Sequence, residues 1–85
     1  MSSFVGNVTL VAERERREHA GVGVTLASTD ERWFGTVQGE VEGLLDGDVV
    51  VVRLPSGLEG RAEVVIDLTG PDPAVRLRGV GRPPL

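Results

Sequence analysis

The chain has 85 residues, a formal net charge of −4, and no cysteine, tyrosine or lysine. Disulfides, thiolate chemistry and lysine- or tyrosine-based catalysis are therefore excluded, and the acidic balance argues against a nucleic-acid partner, which needs a basic footprint. A domain this small buries only about 60–65% of the surface its unfolded chain exposes, so a homo-oligomer that shares surface is expected.

Residues 4–12 are predicted to form a first strand, with Val8, Leu10 and Ala12 on one face and Thr9 and Val11 on the other. The run Glu13-Arg14-Glu15-Arg16-Arg17-Glu18 reads as a solvated connection of mixed charge. Residues 19–26 give a second strand with Ala20, Val22, Val24 and Leu26 together. His19, Gly21, Gly23 and Thr25 take its opposite face, where the glycines mark a bend or a close approach. After a turn at 27–31, a third strand is expected over 32–42, with Trp33, Gly35, Val37, Gly39 and Val41 sharing a face. Glycine alternating with larger side chains lets a small barrel curve and fill its taper. A loop over 43–48 closes with the turn signal Asp46-Gly47.

The clearest element is a hairpin over 48–68. A β-branched run, Val49-Val50-Val51-Val52-Arg53-Leu54, meets Pro55-Ser56-Gly57. Then Leu58, Gly60, Ala62, Val64, Ile66 and Leu68 alternate with Glu59, Arg61, Glu63, Val65 and Asp67. Thr69-Gly70-Pro71-Asp72-Pro73 is a break. Residues 74–80 form a sixth strand with Val75 and Leu77 inward and Arg76 and Arg78 outward. Prolines have no N–H to donate, so 83–85 is read as a C-terminal tail. The chain is thus predicted to be a single all-β domain over 1–85. About six antiparallel strands follow one another in a meander, closed as a small barrel or folded as a sandwich.

Four short motifs occur in order: Val8-Thr9-Leu10, Trp33-Phe34-Gly35-Thr36-Val37, Val52-Arg53-Leu54-Pro55-Ser56-Gly57 and Gly79-Val80-Gly81-Arg82-Pro83-Pro84-Leu85. Together they resemble a small actinobacterial β-domain family of unknown function, found alone or fused to flavin-dependent monooxygenases, commonly in specialised metabolism. Arg32 stands where that family usually has a histidine before the tryptophan, and Leu85 stands where it has an aromatic residue. The resemblance implies a setting, work beside a flavin monooxygenase on a small lipophilic metabolite, and lends no chemistry of its own.

His19 is the only side chain whose ordinary titration lies near neutrality, which makes it the candidate general base, with Asp30 and Glu31 as further proton handlers. Trp33 and Phe34 are candidates for stacking on a flat ligand, and Arg76 and Arg78 for receiving its carboxylate or phosphate. Arg82 extends this basic end. The carboxylates of Glu40, Glu42, Asp46 and Asp48 read mainly as loop solubility. One histidine and no cysteine make a zinc site within the chain untenable, and no cofactor is implied. Ser28, His19 and Asp30 form a triad only on paper.

No apolar run approaches the roughly 20 residues of a membrane span. Met1-Ser2-Ser3-Phe4 lacks the secretory pattern, so a cytoplasmic protein is expected. Three functions fit these features. The first is an accessory protein binding a lipophilic metabolite in an apolar cavity, in the barrel or between protomers. The second is a stand-alone cyclase or isomerase using acid/base groups in such a cavity. The third is an interaction module that pairs through an exposed strand edge.

Overall fold

The computed structural model describes residues 2–14, 16–39, 41 and 43–85. They form β1 (Ser2–Ala12), β2 (Arg17–Ser28), β3 (Trp33–Val37), β4 (Val49–Arg53), β5 (Glu59–Asp67) and β6 (Ala74–Val80). Every neighbouring pair is antiparallel, and the sheet closes as a barrel in the order β1-β2-β3-β6-β5-β4. Of the two closures the sequence allows, the barrel is the one adopted.

The meander holds within each half, β1-β2-β3 and β4-β5-β6, and is interrupted between them. β3 pairs with β6 rather than β4, and β4 pairs with β1. Around the barrel β3 and β4 stand opposite each other, so the connection 38–48 crosses one open end. Gly39 and Gly43 have φ of 85° and 88°, left-handed values that take the chain out of a ladder. The strand expected over 32–42 therefore ends at Val37, while Glu40 and Glu42 lie outside the described residues. Leu44 of this connection is buried in the core, and Val41 packs against it from outside.

Inward positions follow the period of two. Val8, Leu10 and Ala12 of β1, Val22, Val24 and Leu26 of β2, Val50 and Val52 of β4, and Ala62 and Val64 of β5 share one buried core. These side chains fill the barrel, so the ligand cavity expected inside it is taken up by core. The alternation slips once. Val8 pairs with Val22 but Leu10 with His19, which leaves Ala20 and Gly21 opposite Thr9 alone. Gly21 takes a φ of 68° in this bulge. The extra residue turns Ala20 out to solvent and brings His19 into register with inward-facing Leu10. The expected faces of Ala20 and His19 are thereby exchanged.

At the other end, Trp33 is the plug, with only 2% of its surface exposed. A Cβ at Gly79 would lie inside its indole. A Cβ at Gly60 would sit 3.0 Å from Trp33 Cζ2 and 2.7 Å from Pro84 Cδ. The indole lies flat on backbone that only glycine leaves bare. The tail 83–85 is not loose, because Pro84 is buried and Leu85 packs against the core.

Gly79→Ala forces the indole or β6 to move. Overpacking of this kind costs about 1–3 kcal/mol, and urea denaturation is expected to show a lowered midpoint of that size. An unchanged midpoint would mean that the indole does not rest on β6.

Candidate ligand-binding site

The outer face of β3, β6 and β5 carries a grid fixed by register. Phe34 lies directly opposite Arg78, and Thr36 opposite Arg76. On the other side of β6, Arg78 faces Glu63 and Arg76 faces Val65. Opposed antiparallel side chains are about 4.5–5.5 Å apart at Cβ, so Phe34, Arg76, Arg78 and Val65 form one cluster. They line a surface groove of about 350 Å³ whose floor is Gly35 and Leu77. Gly35 is fixed by packing, since a Cβ there would collide with Leu26 and lie 3.1 Å from the Thr25 carbonyl oxygen.

Phe34 is 52% exposed, an aromatic ring held out to solvent. Each arginine is oriented by a carboxylate at its rear. Arg78 Nη2 lies 2.7 Å from Glu63 Oε2, and Arg76 Nε lies 3.1 Å from Asp67 Oδ2. Asp67 is itself set in place, since Thr69 donates to its Oδ1 from the hydroxyl at 2.6 Å and from the backbone N–H at 2.9 Å. These bonds, with the Arg76 charge, hold its carboxyl below the ordinary aspartate value. A guanidinium has five N–H donors in a fixed fork, and each arginine spends part of its fork on its carboxylate. Both arginines line the groove beside the ring, an arrangement suited to a flat apolar body bearing an anionic group.

The other expected site residues do not join this cluster. Trp33 precedes Phe34 and therefore points inward, where it is core, and its indole N–H finds no acceptor among the described residues. His19 sits at the crossover end, its Nε2 buried and without a partner among the described residues. Beside it is a surface groove of about 310 Å³ lined by Gly21, Gly23, Gln38 and Val41 among others. Asp30 and Glu31 are exposed at the β2–β3 turn, at the opposite end of β2. At about 3.3 Å per residue that is a separation of roughly 25–30 Å. The set His19, Asp30 and Glu31 is not brought together, nor is the triad with Ser28. Arg82 borders another groove, of about 360 Å³, with Val51, Glu59, Arg61 and Val80.

The acidic middle also disperses. Asp46 Oδ1 accepts from the Ile66 N–H at 2.8 Å. Asp48 accepts from Arg14 Nε at 2.9 Å, from Arg14 Nη2 at 3.2 Å and from the Leu45 N–H at 2.9 Å. These carboxylates bind the crossover connection to β5 and to the β1–β2 turn. Among the described residues no three His, Asp or Glu side chains converge as a metal site. Val65 is the groove residue that sequence reasoning passed over. Its signal was an apolar side chain on the outward face of β5 between Glu63 and Asp67. Comparison with known proteins gave no matching family model, curated relative or solved structure.

The two anchored aspartates make acid stability predictable. The Arg14 and Leu45 hydrogen bonds hold the Asp48 carboxyl below its ordinary value of 3.8, and Asp67 is shifted in the same sense. A carboxyl lowered by folding stabilises above its unfolded value and loses that contribution as pH falls through the folded one. The melting temperature is expected to be level from about pH 7 to 5 and to fall below about pH 4. Asp48→Asn should flatten that fall, and an identical acid slope in the variant would remove Asp48 from the account.

Proposed function

We propose that this protein is a small-molecule-binding accessory protein, and that its ligand is a lipophilic metabolite bearing an acidic group. The observation that carries this reading is the register pairing of exposed Phe34 with Arg78, with Arg76 one step along the same strand face. Ring and valine supply apolar contact, the two forks supply charge-assisted hydrogen bonds, and the rear carboxylates keep the arginines from collapsing onto the ring. The binding place moves from the barrel interior, which is filled, to the outer face. Work beside a flavin monooxygenase is the setting that the motif resemblance adds. No helix in the described residues is long and apolar enough to cross a membrane. The cyclase or isomerase reading loses its support, because its three proton handlers lie at opposite ends of the barrel.

The test is a chemical-shift titration of the labelled protein with 2-naphthoate, with methyl 2-naphthoate as its uncharged counterpart. Shifts are expected at the amides of Phe34, Thr36 and Arg78, with the acid binding more tightly than the ester. The Arg76→Ala, Arg78→Ala double variant should weaken acid binding by at least about tenfold, or about 1.4 kcal/mol, and Phe34→Ala should weaken acid and ester alike. Shifts confined to the His19 end, or equal affinity in the double variant, would overturn the reading.

A further inference from the structure

The barrel is closed along only part of its seam. β1 meets β4 over residues 9–12, whereas residues 2–8 pair, among the described residues, with β2 alone. β4 runs out at Arg53, the partner of Thr9, and turns away through Pro55 and Gly57. Along residues 2–8, the backbone N–H and C=O groups of the alternate residues turned away from β2 thus have no strand beside them among the described residues. Natural sheet edges are blunted by charge, proline or a bulge, because a bare edge recruits another strand. The segment Ser2-Ser3-Phe4-Val5-Gly6-Asn7-Val8 has no charged residue and no proline, and the one register shift in the β1–β2 ladder comes after it. At its centre Val5 is 73% exposed.

We propose that this edge joins two copies of the chain, with residues 2–8 of each pairing antiparallel about a two-fold axis through Val5. The sequence is self-complementary in that register. Val5 faces Val5 of the partner subunit, Ser3 faces Asn7 of the partner subunit, and Phe4 faces Gly6 of the partner subunit. The last pair sets large against small. The Phe4 ring already lies over Gly6 of its own chain, where an added Cβ would be 3.0 Å from Cζ, so glycine keeps the space that the ring needs. Charge points to the same occupant. Each copy carries a net charge of −4, and a charge-free strand lets like copies meet without opposing carboxylates. The contact is isologous, so it closes at two.

Sedimentation equilibrium over a concentration series from roughly micromolar to millimolar tests this, a span suited to a small interface. The mass is expected to rise from 9.0 kDa towards twice that value. Val5→Lys sets two like charges across the axis at an exposed position, and should stay at 9.0 kDa with an unchanged far-UV spectrum and melting temperature. Independently of any variant, amide exchange in residues 2–8 of the unaltered protein should slow as concentration rises. A monomer at the highest concentration, a Val5→Lys dimer of equal strength, or concentration-independent exchange in this segment would each overturn the proposal.

Discussion

Laying the Trp33 indole on the bare backbones of Gly79 and Gly60 is the constraint that the rest of the barrel obeys. An 85-residue sheet has few side chains with which to close an end, and one ring does so by lying on Gly79 of β6 and against Gly60 of β5, where Pro84 also packs. The cost is an indole N–H without an acceptor, a desolvation penalty of about 1–3 kcal/mol. The gain is nearly complete burial of the largest side chain in the molecule, together with a fixed place for the C-terminal residues. Because Trp33 points in, Phe34 must point out, and the exposed ring of the groove follows from the plug.

Much of this architecture was legible in the residues. The period of two marked the inward set of β1, β5 and β6, the β-branched run marked β4, and the Pro55-Ser56-Gly57 turn marked the hairpin. Three features were not legible, each for a physical reason. The β2 bulge depends on one left-handed glycine, and Gly21 looks like any other glycine in a strand until its φ is known. β3 stops short because Gly39 and Gly43 leave the ladder, and a glycine alternating with apolar residues reads equally well as strand. Pairing of β3 with β6 is a choice among partners distant in sequence, which no local pattern encodes. The site divides along the same line. Phe34, Arg76 and Arg78 were recognisable as types, while the exclusion of Trp33 from their company needed only the alternation of strand faces. His19 was placed on the wrong face by the single unseen bulge.

The two surfaces proposed for recognition occupy different parts of the barrel wall. The groove lies over β3, β6 and β5, and the open edge belongs to β1 on the far side of the seam with β4. Pairing through β1 leaves the groove of each copy uncovered. The filled interior makes this division understandable, since a barrel packed with its own core has only its outside to offer. Rigid strands are good carriers for such surfaces, because register fixes Phe34 against Arg78 more tightly than a loop would.

The crossing of the barrel end by the connection 38–48 has a consequence for how the molecule is reached during folding. Each half, β1-β2-β3 and β4-β5-β6, is a local assembly in which successive strands pair. The strand pairing that joins the halves runs through the ladders β1–β4 and β3–β6, each of four residue pairs separated by about forty positions in the chain. Loop-closure entropy must be met before either ladder returns any stabilisation. The entropic cost of forming this barrel is thus concentrated in its two seams rather than in its local hairpins.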